Sequence, residues 1–128
     1  MILGIGTDLT SINRFLSMQT KDLNSLFLND EEIYNIRHYY KNKSIKSELA
    51  KYWALKEATV KALGTGATGK DFLKQNIFVK KIPGVSPVIL MSDKAVKHFD
   101  IDIDKLKVSA SLSDHEDLVV ATVIIESI

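Results

Sequence analysis

The stretch Trp53 to Gly66, WALKEATVKALGTG, constrains the fold of this chain more than any other. Leu49, Trp53, Val60 and Leu63 mark one side of a helix, and Ala50, Ala54, Ala58 and Ala62 form a small-residue side that lets a partner helix come close. Gly64 follows the last apolar residue, where a left-handed cap needs no Cβ. The spacing therefore predicts one long helix closed by a glycine turn. Glu57 and Lys61 lie four apart on this core-like helix and are neighbours on one face. Two readings follow. They form an ordinary surface ion pair, or Glu57 is half-buried beside Trp53 and Ala54 and draws a cation, supplied by Lys61 or by a metal.

Strands are expected at both ends of the chain. In ILGIGTDL (2–9), Leu3, Ile5, Thr7 and Leu9 share one face, and Gly4, Gly6 and Asp8 share the other. The two glycines leave that second face bare, open to another backbone or a ligand. Asp8 at its end is either a helix cap or a cation ligand, and Thr10 and Ser11 already suit the capping role. Residues 12–20 are expected to form a short helix carrying a basic stripe, Arg14 and Lys21 with Met18 between them. A second short helix is expected near 23–28. Asn29 or Asp30 then caps EEIYNIRHYY, and 41–47 is a polar loop. Residues 76–82 and 87–91 alternate as strands joined through Pro83-Gly84. A short helix follows from Ser92 or Asp93 to about Phe99. KVSASLS and DLVVATVIIE pair antiparallel about a turn at Ser113–Glu116. The last strand is apolar on both faces, the mark of a central strand or of an oligomer contact. These elements together define a small single α+β domain over 1–128, an antiparallel sheet packed on the long helix.

Composition narrows the function. There is no cysteine, which removes disulfides, zinc–thiolate sites and thiol nucleophiles. The run Leu118–Ile125 is too short to span a bilayer, and no signal-peptide pattern opens the chain, so a cytoplasmic protein is expected, with no membrane attachment. Residues 35–81 hold eleven of the seventeen basic side chains and three of the sixteen acids. Such a middle suits a polyanionic ligand, but no nucleic-acid module surrounds its aromatics. Gly64-x4-Gly69-Lys70 approaches a P-loop, yet Asp71 replaces the Ser or Thr that would reach magnesium, and the segment follows a helix rather than a strand. Its backbone N–H groups still suit phosphate. Asp114, His115, Glu116 and Asp117 are a polar turn cluster rather than a metal site.

Three stretches, GIGTDLTSINRF, WALKEATVKALGTG and SASLSDHEDLVVATVIIES, resemble in order and spacing the holo-acyl-carrier-protein synthases, over essentially the whole chain. The resemblance implies a phosphopantetheinyl-transferase-like fold. It implies transfer of the phosphopantetheine arm of coenzyme A to a serine of apo acyl carrier protein, with adenosine 3',5'-bisphosphate as the other product, in support of fatty acid biosynthesis. It further implies a homotrimer with active sites between neighbouring subunits. By position, Asp8 and Glu57 are similar to the family's magnesium ligands and Lys61 to its phosphate-contacting, proton-assisting lysine. Lys51, Gly64, Thr65, Gly66, Pro87, Ser111 and Ser113 match cofactor-binding positions. Arg14, Met18 and Lys21 match the carrier-protein docking helix. Tyr52 stands where the family often has Arg, with Lys51 as its substitute, Ser86 stands for a usual Lys, and Asp114 for a frequent His. The alternative is a non-enzymatic adaptor that docks acidic proteins through the basic N-terminal helix.

Overall fold

The computed structural model describes residues 1–18, 27–40, 45–64 and 76–128. A three-stranded antiparallel sheet is built from β1 (Ile2–Ser11), β4 (Leu106–His115) and β5 (Leu118–Ser127), in the order β1-β5-β4. The two-sided apolar strand β5 is thus the central one, as its pattern requires. Its odd-numbered residues Val119, Ala121, Val123 and Ile125 are buried. The β4–β5 turn falls at Glu116–Asp117, later than the sequence pattern placed it, with Glu116 at φ 55°. Strands β2 (Ile77–Lys80) and β3 (Val88–Met91) form a separate antiparallel pair. Helix α3 (Asp93–His98) is capped by the Ser92 hydroxyl, which accepts from the Ala95 N–H at 3.1 Å.

The long helix α2 spans Lys46–Ala62, beginning earlier than Trp53, and Gly64 follows it at φ +72°. Its alanine side meets a strand, not a helix. A Cβ on Gly4 would overlap the carbonyl oxygen of Ala62, and one on Gly6 that of Ala58. The bare face of β1 and the alanine side of α2 are two halves of one contact, in which backbone lies on backbone. Ala50, Ala54 and Ala58 are fully buried in consequence. The opposite sheet face stays open, with Ile5 and Leu9 64% and 62% exposed.

The helix expected over 12–20 is only a 3₁₀ turn, Ile12–Phe15, with residues 19–26 outside the described part. β1 continues to Ser11, the Ile12 N–H donates to the Asp117 carbonyl at 2.7 Å, and the chain leaves the sheet tightly. Three residues per turn put Ile12 and Phe15 on the same side, and both are buried. Helix α1 (Asp30–Tyr40) starts with a capping box: the Asn29 side chain accepts from the Glu32 N–H, and Glu32 accepts from the Asn29 N–H, both at 2.9 Å. No helix among the described residues is long and apolar enough to cross a membrane.

Candidate active site

Because Gly4 and Gly6 seat β1 on α2, the next inward residue of the strand, Asp8, also faces that helix. Its Oδ1 accepts from the Lys61 ammonium at 3.1 Å, and Lys61 also donates to the Thr7 carbonyl at 3.0 Å. The Thr10 hydroxyl donates to Asp8 Oδ2 at 2.5 Å. Lys61 thus reaches across to the strand, a contact that its i, i+4 spacing from Glu57 did not reveal. Glu57 is half-buried one turn before Lys61 on the same helix. The Asp8 side chain is 13% exposed and that of Lys61 52%. The carboxylate is largely enclosed while its cation is half exposed at the surface.

One residue from Glu57 lies a second lysine–carboxylate pair that sequence reasoning missed. Lys56 is fully buried and donates to Glu32 Oε1 at 2.7 Å and to the Phe27 carbonyl at 2.6 Å. Glu32 Oε2 accepts from the Val79 N–H at 2.8 Å. Burial pushes the Glu32 carboxyl up from its ordinary value, against the pull of Lys56 and the backbone donors, and pushes the Lys56 ammonium down. The sequence signal was the Asn29-x-x-Glu32 capping pattern, which placed Glu32 but not its second partner.

The other cofactor-binding candidates gather elsewhere. Lys51, Pro87 and Ser111 line an open cleft of about 390 Å³ with Lys81, Ser86 and Asp114. Glu48 bridges its cations, at 3.3 Å from Lys51 and 2.7 Å from Lys81. Burial works against the Lys81 ammonium, but hydrogen bonds to Glu48 and Tyr40 outweigh it and hold its pKa above the usual lysine value. Neither Lys81 nor Glu48 carried a motif that would have singled it out. Asp8, Glu57 and Lys61 do not line this cleft. Ser111 and Ser113 pair with Thr122 and Val120, on the sheet face away from α2. Within one copy, therefore, the fold brings Asp8 and Lys61 together and keeps the serines apart from them. Tyr52 is fully buried and its hydroxyl has no partner among the described residues, so its side chain points into the core rather than the cleft. Gly64 is exposed beyond α2; Thr65, Gly66 and Lys21 lie outside the described residues.

The docking candidates are only partly disposed as a helical stripe. Arg14 lies in the 3₁₀ turn with its guanidinium 4.1 Å from the centre of the Trp53 ring. Met18 is half-buried, and its N–H donates to the Phe15 carbonyl at 3.0 Å.

The chain thus carries a carboxylate held between β1 and a basic helix, and, apart from it, a cleft lined by two lysines. The chain belongs to the 4'-phosphopantetheinyl transferase superfamily, whose pattern matches residues 4–123. Within it, the chain is similar to the holo-[acyl-carrier-protein] synthase of Gluconobacter oxydans, at 37% identity over all of this chain and 84% of that protein. The crystal structure of the Neisseria meningitidis holo-[acyl-carrier-protein] synthase superposes with a TM-score of 0.73 at 31% identity, covering 99% of this chain and all of that one. A Bacillus anthracis holo-(acyl-carrier-protein) synthase, crystallised in complex with CoA (3',5'-ADP), gives a TM-score of 0.74 at 30% identity, over 100% of this chain and 99% of that one. The family and the α+β fold expected from the sequence both hold.

Proposed function

We propose that this protein is a magnesium-dependent holo-acyl-carrier-protein synthase of the cytoplasm, a single domain over 1–128. It moves phosphopantetheine from coenzyme A to a serine of apo acyl carrier protein. The serine oxygen bonds to the phosphorus bearing the pantetheine arm, the pyrophosphate P–O bond breaks, and adenosine 3',5'-bisphosphate leaves. The observation that carries this reading is the seating of Asp8 against α2, the helix of Glu57 and Lys61.

Asp8 and Glu57 would hold the magnesium ion. Their chemistry fits it: hard carboxylate oxygens, one or two from protein, with the rest of the shell left to phosphate and water. The absence of any cluster of three acidic or histidine side chains among the described residues is compatible with such a site. Asp8 already attracts a cation, the Lys61 ammonium at 3.1 Å. When bound, the metal polarises the phosphate under attack and neutralises charge on the leaving group. Thr10 holds the Asp8 carboxylate in orientation. Lys61, more than half exposed, is free to turn from Asp8 toward a phosphate oxygen and to assist proton transfer.

The remaining cofactor contacts are assigned to Lys51, Pro87, Ser111 and Ser113, with Gly64, Thr65 and Gly66 at the turn after α2. Their separation from Asp8 within one copy supports a homotrimer in which the cleft of one subunit meets Asp8 of its neighbour. The apolar sheet face around Ile5 and Leu9 is the surface we assign to that contact. Arg14, Met18 and Lys21 would dock the acidic carrier.

The test is to incubate the protein with coenzyme A, magnesium and several apo carrier proteins and weigh the carriers. A gain of one phosphopantetheine is expected; no gain on any carrier would overturn the proposal. Light scattering checks the assembly, where a monomer at working concentration would remove the trimer.

A further inference from the structure

Arg14 differs from the lysines of the site. Lys51, Lys56, Lys61 and Lys81 each have a carboxylate within ion-pair distance, whereas among the described residues no carboxylate pairs with Arg14. Its guanidinium rests instead over the indole of Trp53, 4.1 Å from the ring centre. The residue is nevertheless exposed to solvent. A guanidinium held over an aromatic ring is bound through its charge and π system, and its N–H donors remain available to a carboxylate. Lysine has no such division between a stacking face and a donor edge.

The indole is itself fixed. Trp53 is 6% exposed. The Phe27 ring meets it edge-on at 5.2 Å and 87°, and also contacts Phe15 at 5.6 Å. The Phe27 carbonyl accepts from the buried Lys56 at 2.6 Å. The support under Arg14 therefore runs through the core to the sealed Lys56–Glu32 pair, and one face of a long surface cation is engaged before any partner arrives. Holding it in advance lowers the ordering cost of association.

We infer that Trp53 is a positioning residue for partner recognition: it holds the Arg14 guanidinium with its donor edge turned outward for the carboxylates of an acidic carrier protein. This rests on the proposed docking role of Arg14. A cation–π contact at an exposed site corresponds to about a two- to five-fold effect on affinity, the size of preference that tunes a partner rather than creates one.

The experiment is a double-mutant cycle on the intact protein. Arg14→Lys, Trp53→Leu and their combination are assayed with apo acyl carrier protein and with coenzyme A varied separately. Arg14→Lys is expected to raise the KM for carrier several-fold, with the effect falling on that KM rather than on kcat or on the KM for coenzyme A. In the Trp53→Leu background the same change should lose about two- to five-fold of its effect. Should Trp53→Leu fail to fold, Trp53→Phe gives the same cycle with a smaller coupling. A second readout is independent of turnover. The chain has one tryptophan, so Trp53 emission should shift saturably on titration with a tryptophan-free carrier, and Arg14→Gln should abolish the shift. Multiplicative, independent effects in the cycle, or unchanged emission at saturating carrier, would overturn the platform alone. An Arg14→Gln variant with an unaltered carrier KM would overturn the docking reading and this inference with it. A rise confined to the KM for coenzyme A would assign Arg14 to cofactor phosphate and overturn the carrier assignment.

Discussion

Two of the lysine–carboxylate pairs on helix α2, made by lysines five residues apart, differ in almost every respect. In Lys56–Glu32 both side chains are sealed, at 0% and 2% exposure; in Lys61–Asp8 the lysine is 52% exposed and the acid 13%. The buried acid has every oxygen engaged by ammonium or backbone N–H, and it joins α1, α2 and β2. No ligand could displace its partner without leaving a charge alone in the core. The half-open acid has a cation that can swing into water at little cost. A buried pair specifies packing, whereas an acid whose cation can be exchanged is suited to chemistry.

The largest effect is expected where one sealed charge is left without the other. Lys56→Met should destabilise the protein by about 3–5 kcal/mol in urea unfolding at neutral pH, and adding Glu32→Leu should recover much of that loss. Equal stability of the single and double variants would erase the distinction between the pairs. Asp8→Asn should do the reverse. Its stability should move by less than about 1 kcal/mol, as for exposed pairs, while turnover falls by roughly 100- to 1000-fold. A stability loss as large as that of Lys56→Met would break the comparison.

Gly6→Ala tests what places Asp8 at all. The new Cβ would meet the Ala58 carbonyl, so β1 must lift from α2, at about 1–3 kcal/mol of stability. Activity should fall further than stability explains, because Asp8 moves with the strand. Full activity in a stably folded Gly6→Ala protein would show that the backbone contact does not position the site.

The Lys81–Glu48 pair, 12% and 6% exposed, lies between the two extremes. Burial opposes the Lys81 charge, but the bonds to Glu48 and Tyr40 win and raise its pKa. The folded chain thus keeps this proton to higher pH than the unfolded one. The resulting stabilisation is complete below the unfolded lysine value of about 10.4 and is lost as pH rises through the folded value. The melting temperature of the wild type should fall more steeply above pH 10 than that of Lys81→Met; parallel curves would rule this out. The smallest change is expected for Tyr52→Phe, which removes a buried hydroxyl that has no partner among the described residues. It should be neutral or stabilising by up to about 1 kcal/mol, and a clear loss in urea unfolding would mean that the hydroxyl is satisfied after all.

The amino-acid order by itself determined the elements and the family. Alternation in 2–9 and 118–125, the alanine and apolar positions of α2, and the glycine after it are local patterns, and local patterns survive in a one-dimensional reading. Even the bare glycine face of β1 showed that a backbone or a ligand could lie close to it. Only the tertiary structure decided which it was, and so carried Lys61 across to Asp8 and away from a purely helical pairing. It made a 3₁₀ turn, Ile12–Phe15, of the described start of the expected docking helix, where the Ile12 N–H is tied to Asp117 far along the chain. It also buried Lys56, a residue whose type argues for the surface, because Glu32 and Phe27 supply its anion and its carbonyl. Charges separated by dozens of residues choose partners by where packing leaves them, and that geometry exists only after the chain has closed on itself.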